Sequence, residues 1–598
     1  MKERVSKNTK RVIGVILIVI ILGLSITMVK RDNDKLPKRL KDKEFSLDSK
    51  IRIENLSNIQ EENLYTLAKV WGFVKYRHPS ITNGDINWDM ELFRVMPEVI
   101  RAKSKEEAQS FIVEWLNQFP FEIPEVDTEG QQEILKYEKQ KILGVDLSWI
   151  QDQSFLGADL SNYLKKLKEV MVLNTKNSYA VINNDGFINL EAESSYQNMK
   201  PEDSGMRLLS LFRYWNIIEY YYPYKDIIEE DWDQVLHRMI PVFIQEKDAR
   251  SYVLAVSELT TFIHDSHAAT VDNQHILEDY FGLYTPTVEF LNINGKIVIS
   301  KVAENDKEEM PLQPGDIVLS MDGDSIEDRI KKCKKYISLS NENRFVYKFH
   351  MLLGTNDREA KIEVLRENKK MIFTVPCTME RQSLSGNEES ELIEEGRIGY
   401  INPETLKKGQ IDLIMEEFKN TKGLIVDLRN YPSDNIVYSL AEYLIPERIP
   451  FAKSGSCNSF IPGDFYMNKS VSSGRENMNT SDAPAQGQPL YKGKVVLLMD
   501  ERTQSHGEFT IMSLRNAPEA VVIGSPSMGA DGNTVYINLP ESVITKMTGL
   551  SVFYPDGRQT QRVGLEPDIY VMPTVEGLKE GRDELMEKAI SLVNGNGQ

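Results

Sequence analysis

A repeated pattern of tryptophan and proline constrains the fold of this chain more than any other feature. Four pairs of identical residues recur at a single spacing of 144 positions, without a gap. The pairs are Trp71 and Trp215, Pro79 and Pro223, Trp88 and Trp232, and Pro97 and Pro241. Because four rare residues in one register are hard to obtain by chance, we infer a duplicated all-α module. We expect these residues to set helix packing and helix ends, and not to form a site.

The N-terminal segment predicts a membrane anchor. Residues 12–29 form an uncharged apolar run of 18 residues. As a helix, this run would reach about 27 Å, close to the hydrocarbon thickness of a bilayer. Basic residues precede it within 1–11, and the run lacks a small-x-small cleavage pattern. We therefore predict an uncleaved transmembrane helix in the cell membrane, with residues 1–11 cytoplasmic and the large portion after the helix extracytoplasmic.

Composition argues against two classes of function. The chain has a formal net charge of −19 although its N-terminus is basic. An acidic body repels phosphate backbones, so we expect no nucleic-acid partner. Cys333, Cys377 and Cys457 lie far apart and form no CxxC pair. This spacing argues against a thiolate metal site and against a disulfide framework, and leaves a single bridge open.

Hydrophobic patterning predicts a multidomain chain, as expected for 598 residues. Helical periodicity dominates the two copies of the repeat, strand patterns begin near residue 280, and strands alternate with helices from about residue 390. The predicted units are a linker at 30–55, helical copy one at 56–120, an unassigned connection at 121–200, helical copy two at 201–275, a β-rich domain at 276–380 and an α/β domain at 390–590. Residues 452–492, rich in Ser, Asn, Gly and Pro, are expected to form a long loop or lid.

The β-rich domain carries a turn, a strand and a second turn with the sequence PGDIVLSMDG at 314–323. This segment resembles the signature of PDZ domains, which bind peptide ends by adding them as a strand. The resemblance places Phe281, Gly282 and Leu283 where that family has its carboxylate-binding loop. It therefore implies a PDZ-like domain that binds the ends of polypeptide substrates.

The α/β domain contains a candidate nucleophile. The sequence KVVLLMDERTQSHGEFTIMSLRN at 494–516 predicts a buried strand, a short polar turn and a helix. Ser505 lies at the start of that helix, where N–H groups and the helix dipole stabilise negative charge. Local sequence alone leaves open whether Ser505 is a nucleophile or an ordinary helix cap.

Four segments of the α/β domain together resemble one enzyme family. They are GLIVDLRNYPSD at 423–434, VVLLMDERTQSHGE at 495–508, AVVIGSPSMGADGN at 520–533 and QRVGLEPDIYV at 561–571. Their order resembles the catalytic domain of the tail-specific and tricorn-type serine peptidases. The resemblance implies a ClpP/crotonase-like fold, peptide-bond hydrolysis without a cofactor, and Ser505 as the nucleophile.

The family supplies the proton acceptor for its serine in one of two ways. The first is a lysine about 25 residues after the serine. This chain has no lysine between Ser505 and Thr545, and Ala530 stands about where the lysine would fall. The chain therefore lacks the first solution.

The second solution is a Ser-His pair that lies before the PDZ segment. The sequence ELTTFIHDSHAAT at 258–270 carries Ser266 and His267 in that place. The resemblance therefore implies His267 as the general base and Ser266 as the residue that orients it. His506, which neighbours Ser505, is the second candidate for the base. A metal site at these histidines is disfavoured, because no nearby carboxylate or thiolate pattern completes a ligand set.

The remaining roles follow from the same resemblance. The backbone N–H groups of His506 and Ser433 are the expected oxyanion donors, the latter from the NYPSD turn. The acidic fourth member of the tricorn-type site falls near Gln561, with Glu566 as a second candidate. Glu508, one helical turn after the serine, is expected either to cap the helix or to bind a substrate amine.

These features predict an extracytoplasmic, membrane-anchored serine peptidase that acts on polypeptides, with a homo-oligomer as one open assembly state. Two alternatives stay open. A catalytically inactive peptide-binding scaffold would explain the altered NYPSD turn and the missing lysine. An esterase-like hydrolase would use the same Ser-His pair on a small ester.

Overall fold

The computed structural model describes residues 37–595 with several gaps. The gaps are 174, 184–185, 246–247, 304–309, 347, 380–389, 408, 434 and 476–488. The predicted cytoplasmic segment at 1–11 and transmembrane helix at 12–29 lie outside the described residues. Within the described residues, no helix is both long and apolar enough to cross a membrane.

The two helical copies have the same order of helices, except that the 3-10 helix Lys225–Ile227 of the second copy stands where the first has Pro79–Thr82. The helices of the first copy are Asn58–Arg77, Pro79–Thr82, Trp88–Arg101 and Lys105–Leu116, and those of the second are Ser204–Tyr221, Trp232–Gln245 and Ala249–Thr261. In each copy the two tryptophans exchange hydrogen bonds. The indole N–H of Trp71 donates to the carbonyl of Trp88 at 3.0 Å, and Trp88 returns the bond at 2.9 Å. Trp215 and Trp232 form the same reciprocal pair at 2.7 and 3.1 Å.

Two ion pairs cross between the copies and follow the repeat. Lys69 of copy one contacts Asp233 of copy two at 2.8 Å. Arg213 and Asp89, the residues at the equivalent positions of the opposite copies, contact each other at 2.7 Å. Each copy therefore supplies one cation and one carboxylate to the other, as a pseudo-two-fold relation requires. Asp89, Arg213, Lys75 and Glu193 form a cluster of buried charges at this seam.

The connection between the copies contains helices and short strands that complete the helical core. These are the helices Thr128–Lys139, Gln153–Leu156 and Ala158–Lys168 and the strands Lys141–Leu143, Val181–Ile182 and Ile188–Asn189. Short 3-10 helices lie at Lys38–Lys41, Ser148–Gln151, Lys225–Ile227 and Pro540–Ser542. One hydrophobic core runs through both copies and the connection, so the helical region is a single packed body.

The β-rich domain is built on an antiparallel sheet. Its strands are Val288–Ile293, Lys296–Val302, Ile317–Met321, Asp324–Ser325, Glu359–Arg366 and Lys369–Pro376, and its helices are Ile276–Phe281 and Ile326–Tyr336. The strand of the PGDIVLSMDG segment, Ile317–Met321, lies in the middle of the sheet, between Lys296–Val302 and Glu359–Arg366. The core of this domain is separate from the helical core.

The α/β domain has a mainly parallel sheet. Its strands, in both chain and spatial order, are Ser390–Ile393, Ile398–Ile401, Gly423–Asp427, Lys494–Met499, Val521–Gly524 and Ile569–Tyr570. Its helices are Ile411–Phe418, Ile436–Ser439, Ala441–Leu444, His506–Leu514, Val575–Lys579 and Glu584–Asn594. The central strands Gly423–Asp427 and Lys494–Met499 are continuously apolar over 424–426 and 495–499, because helices or neighbouring segments cover both faces of the sheet.

Two smaller sheets join the α/β domain to the helical region. In the first, strand Phe465–Ser473 pairs with both Ile449–Cys457 and Lys141–Leu143, and Ile449–Cys457 also pairs with Ser551–Phe553. The expectation of a long loop across 452–492 was therefore wrong for 452–457 and 465–473. The backbones of these polar residues pair in the sheet whether the side chain is exposed, as at Ser470, or buried, as at Ser456. In the second sheet, Ile544–Thr548 pairs with both Thr534–Asn538 and Thr270–Val271.

Candidate active site

Ser505 lies on a tight turn after a central strand of the parallel sheet. The strand ends at Met499, and the helix His506–Leu514 begins directly after the serine. Ser505 has φ 52° and ψ −117°, a backbone conformation that residues other than glycine rarely adopt. The Ser505 N–H donates to the carbonyl of Ala530 at 2.7 Å, and the Ser505 hydroxyl donates to the carbonyl of Gly532 at 3.2 Å. The turn thus presents the hydroxyl at the N-terminal end of the helix.

Glu508 holds this turn and does not face a substrate. Its carboxylate is fully buried and accepts the N–H of Ser505 at 3.1 Å, of Gly529 at 2.9 Å and of Ala530 at 3.0 Å. The hydroxyl of Ser527 donates to the same carboxylate. Burial raises the pKa of Glu508, although these hydrogen bonds oppose the shift. The prediction that Glu508 binds a substrate amine is therefore wrong, because protein donors occupy both of its oxygens.

His267 reaches the catalytic domain from the end of the helical region. It is buried, and its Nδ1 lies 2.8 Å from the hydroxyl oxygen of Thr548. Its Nε2 is buried without a hydrogen-bond partner among the described residues. Burial lowers the pKa of His267 from its ordinary 6.5 to about 4. The imidazole is therefore neutral at pH 7 and presents an unused nitrogen, as a general base must.

Asp265 organises the surroundings of His267, and the sequence reasoning missed it. Its carboxylate accepts the backbone N–H of His267 at 2.9 Å and the backbone N–H of Thr548 at 2.7 Å. It lies 3.9 Å from Nδ1 of His267, so it raises the pKa of the imidazole against the larger effect of burial. Asp265 thereby fixes both His267 and the threonine that contacts it. The available signal was local, because Asp265 stands two residues before His267 in the DSH segment.

The Ser505 and His267 environments meet at Gly532 and Thr548. Gly532 accepts the hydroxyl of Ser505, and Thr548 contacts Nδ1 of His267. A β-carbon at Gly532, where φ is 103°, would lie only 3.1 Å from Cγ2 of Thr548 and 2.2 Å from the carbonyl oxygen of Leu550. The residue that accepts the Ser505 hydroxyl therefore lies against the residue that contacts His267. The serine hydroxyl is bonded to Gly532 here and not to His267.

Ser266 has a different role from the predicted one. Its hydroxyl accepts the N–H of Ser340 at 2.8 Å, and its own N–H donates to the hydroxyl of Ser340 at 2.8 Å. This reciprocal pair joins the helical region to the segment that follows the helix Ile326–Tyr336. Ser266 therefore does not orient His267 in this structure, and the residues that contact His267 are Asp265 and Thr548.

Of the two candidates for a fourth member, the structure brings only Gln561 to the site. Gln561 is buried, and its amide donates to the carboxylate of Asp265 at 3.2 Å. Glu566 is exposed and accepts the hydroxyl of Tyr570, away from His267. The carboxylate of this site thus comes from Asp265, and Gln561 contributes an amide.

The two predicted oxyanion donors differ in their surroundings. His506 is the first residue of the helix that follows Ser505, where backbone N–H groups face the end of the helix. The N–H of Ser433 donates to the carbonyl of Pro403 at 2.9 Å, so this conformation does not offer it to a ligand. The prediction that the N–H of Ser433 is an oxyanion donor is therefore wrong for this conformation, because that N–H is already bonded to Pro403. Pro432 nevertheless lies beside the helix start, with its Cδ 3.8 Å from a β-carbon placed on Gly507.

The predicted carboxylate-binding loop also uses its own donors. The N–H of Gly282 bonds the carbonyl of Glu278 at 2.7 Å, and the N–H of Leu283 bonds the side chain of Asn356 at 3.2 Å. Phe281 ends a helix and is buried. The N–H capture of a carboxylate predicted for these residues is therefore wrong for this conformation. Phe281 does border a cavity of about 780 Å³ that Arg329 and Lys332 also line.

The side chains that could bind a metal ion lie apart from one another in the described residues. Within the described range, no group of three His, Cys, Asp or Glu side chains could hold a metal ion. His264 instead contacts Glu230 at 3.1 Å. The three cysteines, all within the described range, are free and buried.

The family of the α/β domain follows from its match to known proteins. Residues 397–571 match the model of peptidase family S41. The chain carries a serine peptidase domain of family S41. The resemblance to tail-specific serine peptidases is thereby confirmed, and the protein is a serine-type peptidase, a hydrolase. The matched range includes the Ser505 turn, Glu508 and Gln561, whereas His267 and Asp265 lie before it.

Solved structures agree with this fold at low sequence identity. Mature CPAF matches with a TM-score of 0.50 at 12% identity, covering 66% of this chain and 99% of that chain. A point mutant of CPAF matches with a TM-score of 0.51, also at 12% identity and over the same shares. The tricorn protease aligns at 14% identity over 70% of this chain and 40% of that chain, with a TM-score of 0.35 that supports no conclusion. None of the curated proteins matches the chain.

Proposed function

We propose that this S41 peptidase is anchored in the membrane, acts outside the cytoplasm on polypeptides, and uses Ser505 as nucleophile and His267 as general base. Two observations carry the assignment: Ser505 is a strained residue at the start of a helix, and His267 is a buried, neutral imidazole whose Nε2 has no partner among the described residues. Their partner residues, Gly532 and Thr548, are in contact.

The chemistry follows from this arrangement. In the proposed reaction the hydroxyl of Ser505 leaves the carbonyl of Gly532 and donates to Nε2 of His267. The Ser505 oxygen then attacks the scissile carbonyl carbon while Nε2 of His267 takes the hydroxyl proton. The imidazolium passes that proton to the leaving amine nitrogen. Water next attacks the acyl-enzyme by the same route, and Ser505 regains its proton.

Asp265 and Thr548 orient the base during these steps. When Nδ1 of His267 carries its proton and donates to Thr548, Nε2 holds the free electron pair that the reaction needs. The carboxylate of Asp265 lies 3.9 Å from Nδ1 and stabilises the imidazolium that forms. Asp265 also accepts the backbone N–H of Thr548, so one buried carboxylate holds both His267 and the threonine that contacts it.

Backbone amides stabilise the oxyanion. We assign the N–H of His506 as the first donor, because it lies at the positive end of the helix next to Ser505. The second donor comes from the Asn430–Tyr431 segment. The neighbouring Pro432 lies against the start of the helix, and the N–H groups of Asn430 and Tyr431 have no hydrogen-bond partner in the described part of the chain.

The β-rich domain is proposed to receive the end of the polypeptide substrate, as its PDZ-like sequence implies. The proposed place is the cavity of about 780 Å³ beside Phe281. Its lining carries the cations Arg329, Lys332 and Lys361 and the carboxylates Asp322, Asp324, Asp357 and Glu359, so a bound peptide end would meet both signs of charge.

The proposed activity is tested with the full-length chain in detergent and casein as substrate. The parent should cleave casein, and Ser505→Ala and His267→Ala should each reduce the rate by roughly 1,000-fold or more. Ser470→Ala and His275→Ala, at exposed positions, serve as matched controls. Activity retained in His267→Ala would remove the base assignment. A fluorophosphonate probe that fails to label Ser505 would favour the inactive scaffold, and turnover of small esters but not of peptides would favour the esterase.

A further inference from the structure

The nucleophile and the base belong to different parts of the fold. Ser505 lies in the α/β domain, whereas His267 follows the last helix of the helical region. Catalysis through this pair therefore requires that the two bodies keep a fixed relation, since a displacement of about 1 Å can reduce a rate by roughly 100-fold. The groups that fix this relation contribute to the reaction without contacting the substrate.

Arg562 connects the relevant parts through its side chain. Its guanidinium donates to the carbonyl of Ile227 at 2.7 Å and pairs with the carboxylate of Glu229, both in helical copy two. Its Nε lies 3.4 Å from the carbonyl of Ser340, which is also the partner of Ser266. A planar guanidinium suits this task, because its donors point in fixed directions.

The backbone of Arg562 reaches the nucleophile side of the site. Its N–H donates to the carbonyl of Gly529 at 2.7 Å, and Gly529 precedes Ala530, whose carbonyl accepts the N–H of Ser505. Gln561, the residue before Arg562, donates to Asp265. One dipeptide therefore contacts the loop that holds the serine and the carboxylate that holds the histidine.

The conformation of Arg562 indicates that this position is held by its contacts. Its φ is 65°, in the left-handed region that residues other than glycine seldom occupy. The side chain also borders a cavity of about 480 Å³, where the helical region, the segment 340–342 and the α/β domain meet. A strained residue at such a junction persists only when its surroundings hold it in place.

From these contacts we propose that Arg562 is a positioning residue that aligns His267 with Ser505 by clamping helical copy two onto the α/β domain. The proposal rests on the assignment of these two residues under the proposed function. Loss of the guanidinium should loosen the His267 pocket, admit water and slow the attack of Ser505, while substrate binding elsewhere in the cleft is retained.

The test compares Arg562→Gly with the parent, both as full-length chains in detergent. Glycine accepts the φ of 65° without strain and removes the whole side chain, so a loss of activity would come from the missing contacts and not from a strained backbone. We expect the rate of Ser505 labelling by a fluorophosphonate to fall roughly 10- to 100-fold. We expect kcat on casein to fall with little change in KM, and the acid midpoint of labelling to rise toward the ordinary histidine pKa of 6.5. A loss of folded protein alone would lower the amount labelled and leave the midpoint unchanged.

Two further variants and one control complete the design. Glu229→Gln should slow labelling less than Arg562→Gly does, because it removes only the Arg562–Glu229 ion pair. Combining the two substitutions should add little, because Arg562→Gly already removes that pair. Arg558→Gly is the control, since that exposed guanidinium contacts the nearby Asp556 carboxylate and the Tyr554 ring, neither of which belongs to the proposed site. If Arg562→Gly fails to fold, Glu229→Gln and Arg562→Lys are judged by the same midpoint.

The outcomes separate this inference from the proposed function. The clamp would be overturned if the parent is labelled at Ser505 and the Arg562 variants show the same labelling rate and acid midpoint. That result would leave the peptidase assignment intact. A parent that is not labelled at Ser505 at any pH would overturn the proposed function and the clamp with it. A slower rate with a raised midpoint in Arg562→Gly, but not in Arg558→Gly, supports the clamp.

Discussion

At the scale of single residues, the electrostatics of His267 make the most direct prediction. Because burial lowers its pKa to about 4, the base stays unprotonated well below the pH at which an ordinary histidine becomes charged. The labelling rate of Ser505 should therefore hold as pH falls from 7 to about 5 and decline only near pH 4. A short fluorophosphonate exposure at each pH measures this profile, with His275→Ala as a control. An acid midpoint near 6.5 would contradict the buried, neutral base.

Asp265 gives a second prediction at the residue scale. Asp265→Asn keeps the shape of the side chain but removes the charge that holds the imidazolium, so kcat should fall by about 100-fold or more. The labelling midpoint should fall as well, because Asp265 raises the pKa of His267. Asp272→Asn is the matched control. Asp272 is a buried carboxylate that accepts nearby backbone N–H groups and makes no contact with His267. Equal losses in the two variants would deny Asp265 its role.

Gly532 gives a third, steric prediction. Gly532→Ala would place a β-carbon 2.2 Å from the carbonyl oxygen of Leu550 and at a φ of 103°. The loop must then shift, and with it both Thr548 and the acceptor of the Ser505 hydroxyl, so casein cleavage should be lost. Gly557→Ala has a similar φ of 93° with no atom within 4 Å, and it isolates the backbone strain. Cleavage that survives equally in both variants would show that the close approach at Gly532 is unimportant.

At the scale of elements, the repeat allows equivalent positions to be compared in one molecule. Asp89 and Asp233 occupy the same place in the two copies, but Asp89 is buried against Arg213 and Lys75 whereas the side chain of Asp233 is 43% exposed. Asp89→Ala should destabilise the chain by about 3–5 kcal/mol, because Lys75 and Arg213 would then share the single carboxylate of Glu193, which leaves one buried positive charge uncompensated. Asp233→Ala should cost about 1 kcal/mol or less.

Thermal unfolding of the two variants measures this difference. The Tm of Asp89→Ala should fall well below that of the parent, and the Tm of Asp233→Ala should stay close to it. Equal shifts would mean that burial does not distinguish the two ends of the pseudo-two-fold seam.

At the scale of the whole molecule, the predicted anchor decides where the peptidase works. The full-length chain should remain with membranes after alkaline carbonate extraction. Replacing Leu17 and Ile21 with arginine puts two charges into the apolar run, at about 2.5–3.5 kcal/mol each, and should release the protein. Leu413→Arg, at an exposed helix position, is the control for added charge. Release of the parent by carbonate would contradict the anchor, and shielding of its catalytic portion from added protease in intact cells would contradict the extracytoplasmic orientation.

The sequence by itself determined the features that local patterns encode. The spacing of 144 residues predicted two equivalent helical copies, and the tryptophan pairs repeat the same hydrogen bonds in both. The strand, turn and helix around Ser505 were readable from hydrophobic pattern alone. Family motifs, confirmed by the S41 match, supplied the reaction class. Each of these signals lies within a short stretch of chain or in a fixed register, so it needs no knowledge of packing.

Only the tertiary structure decided which side chains serve the candidate site. Asp265 bonds Thr548 and Gln561 across separations of 283 and 296 residues, and neither pairing leaves a periodic trace in the sequence. Ser266 and Glu508 had the expected positions but other partners, because a hydroxyl or carboxylate bonds whichever donors the fold buries beside it. The composition of the polar strands within 449–473 predicted a loop, because backbone pairing with a distant strand leaves no mark on local composition. Their pairing with the distant segment 141–143 is a property of the assembled molecule.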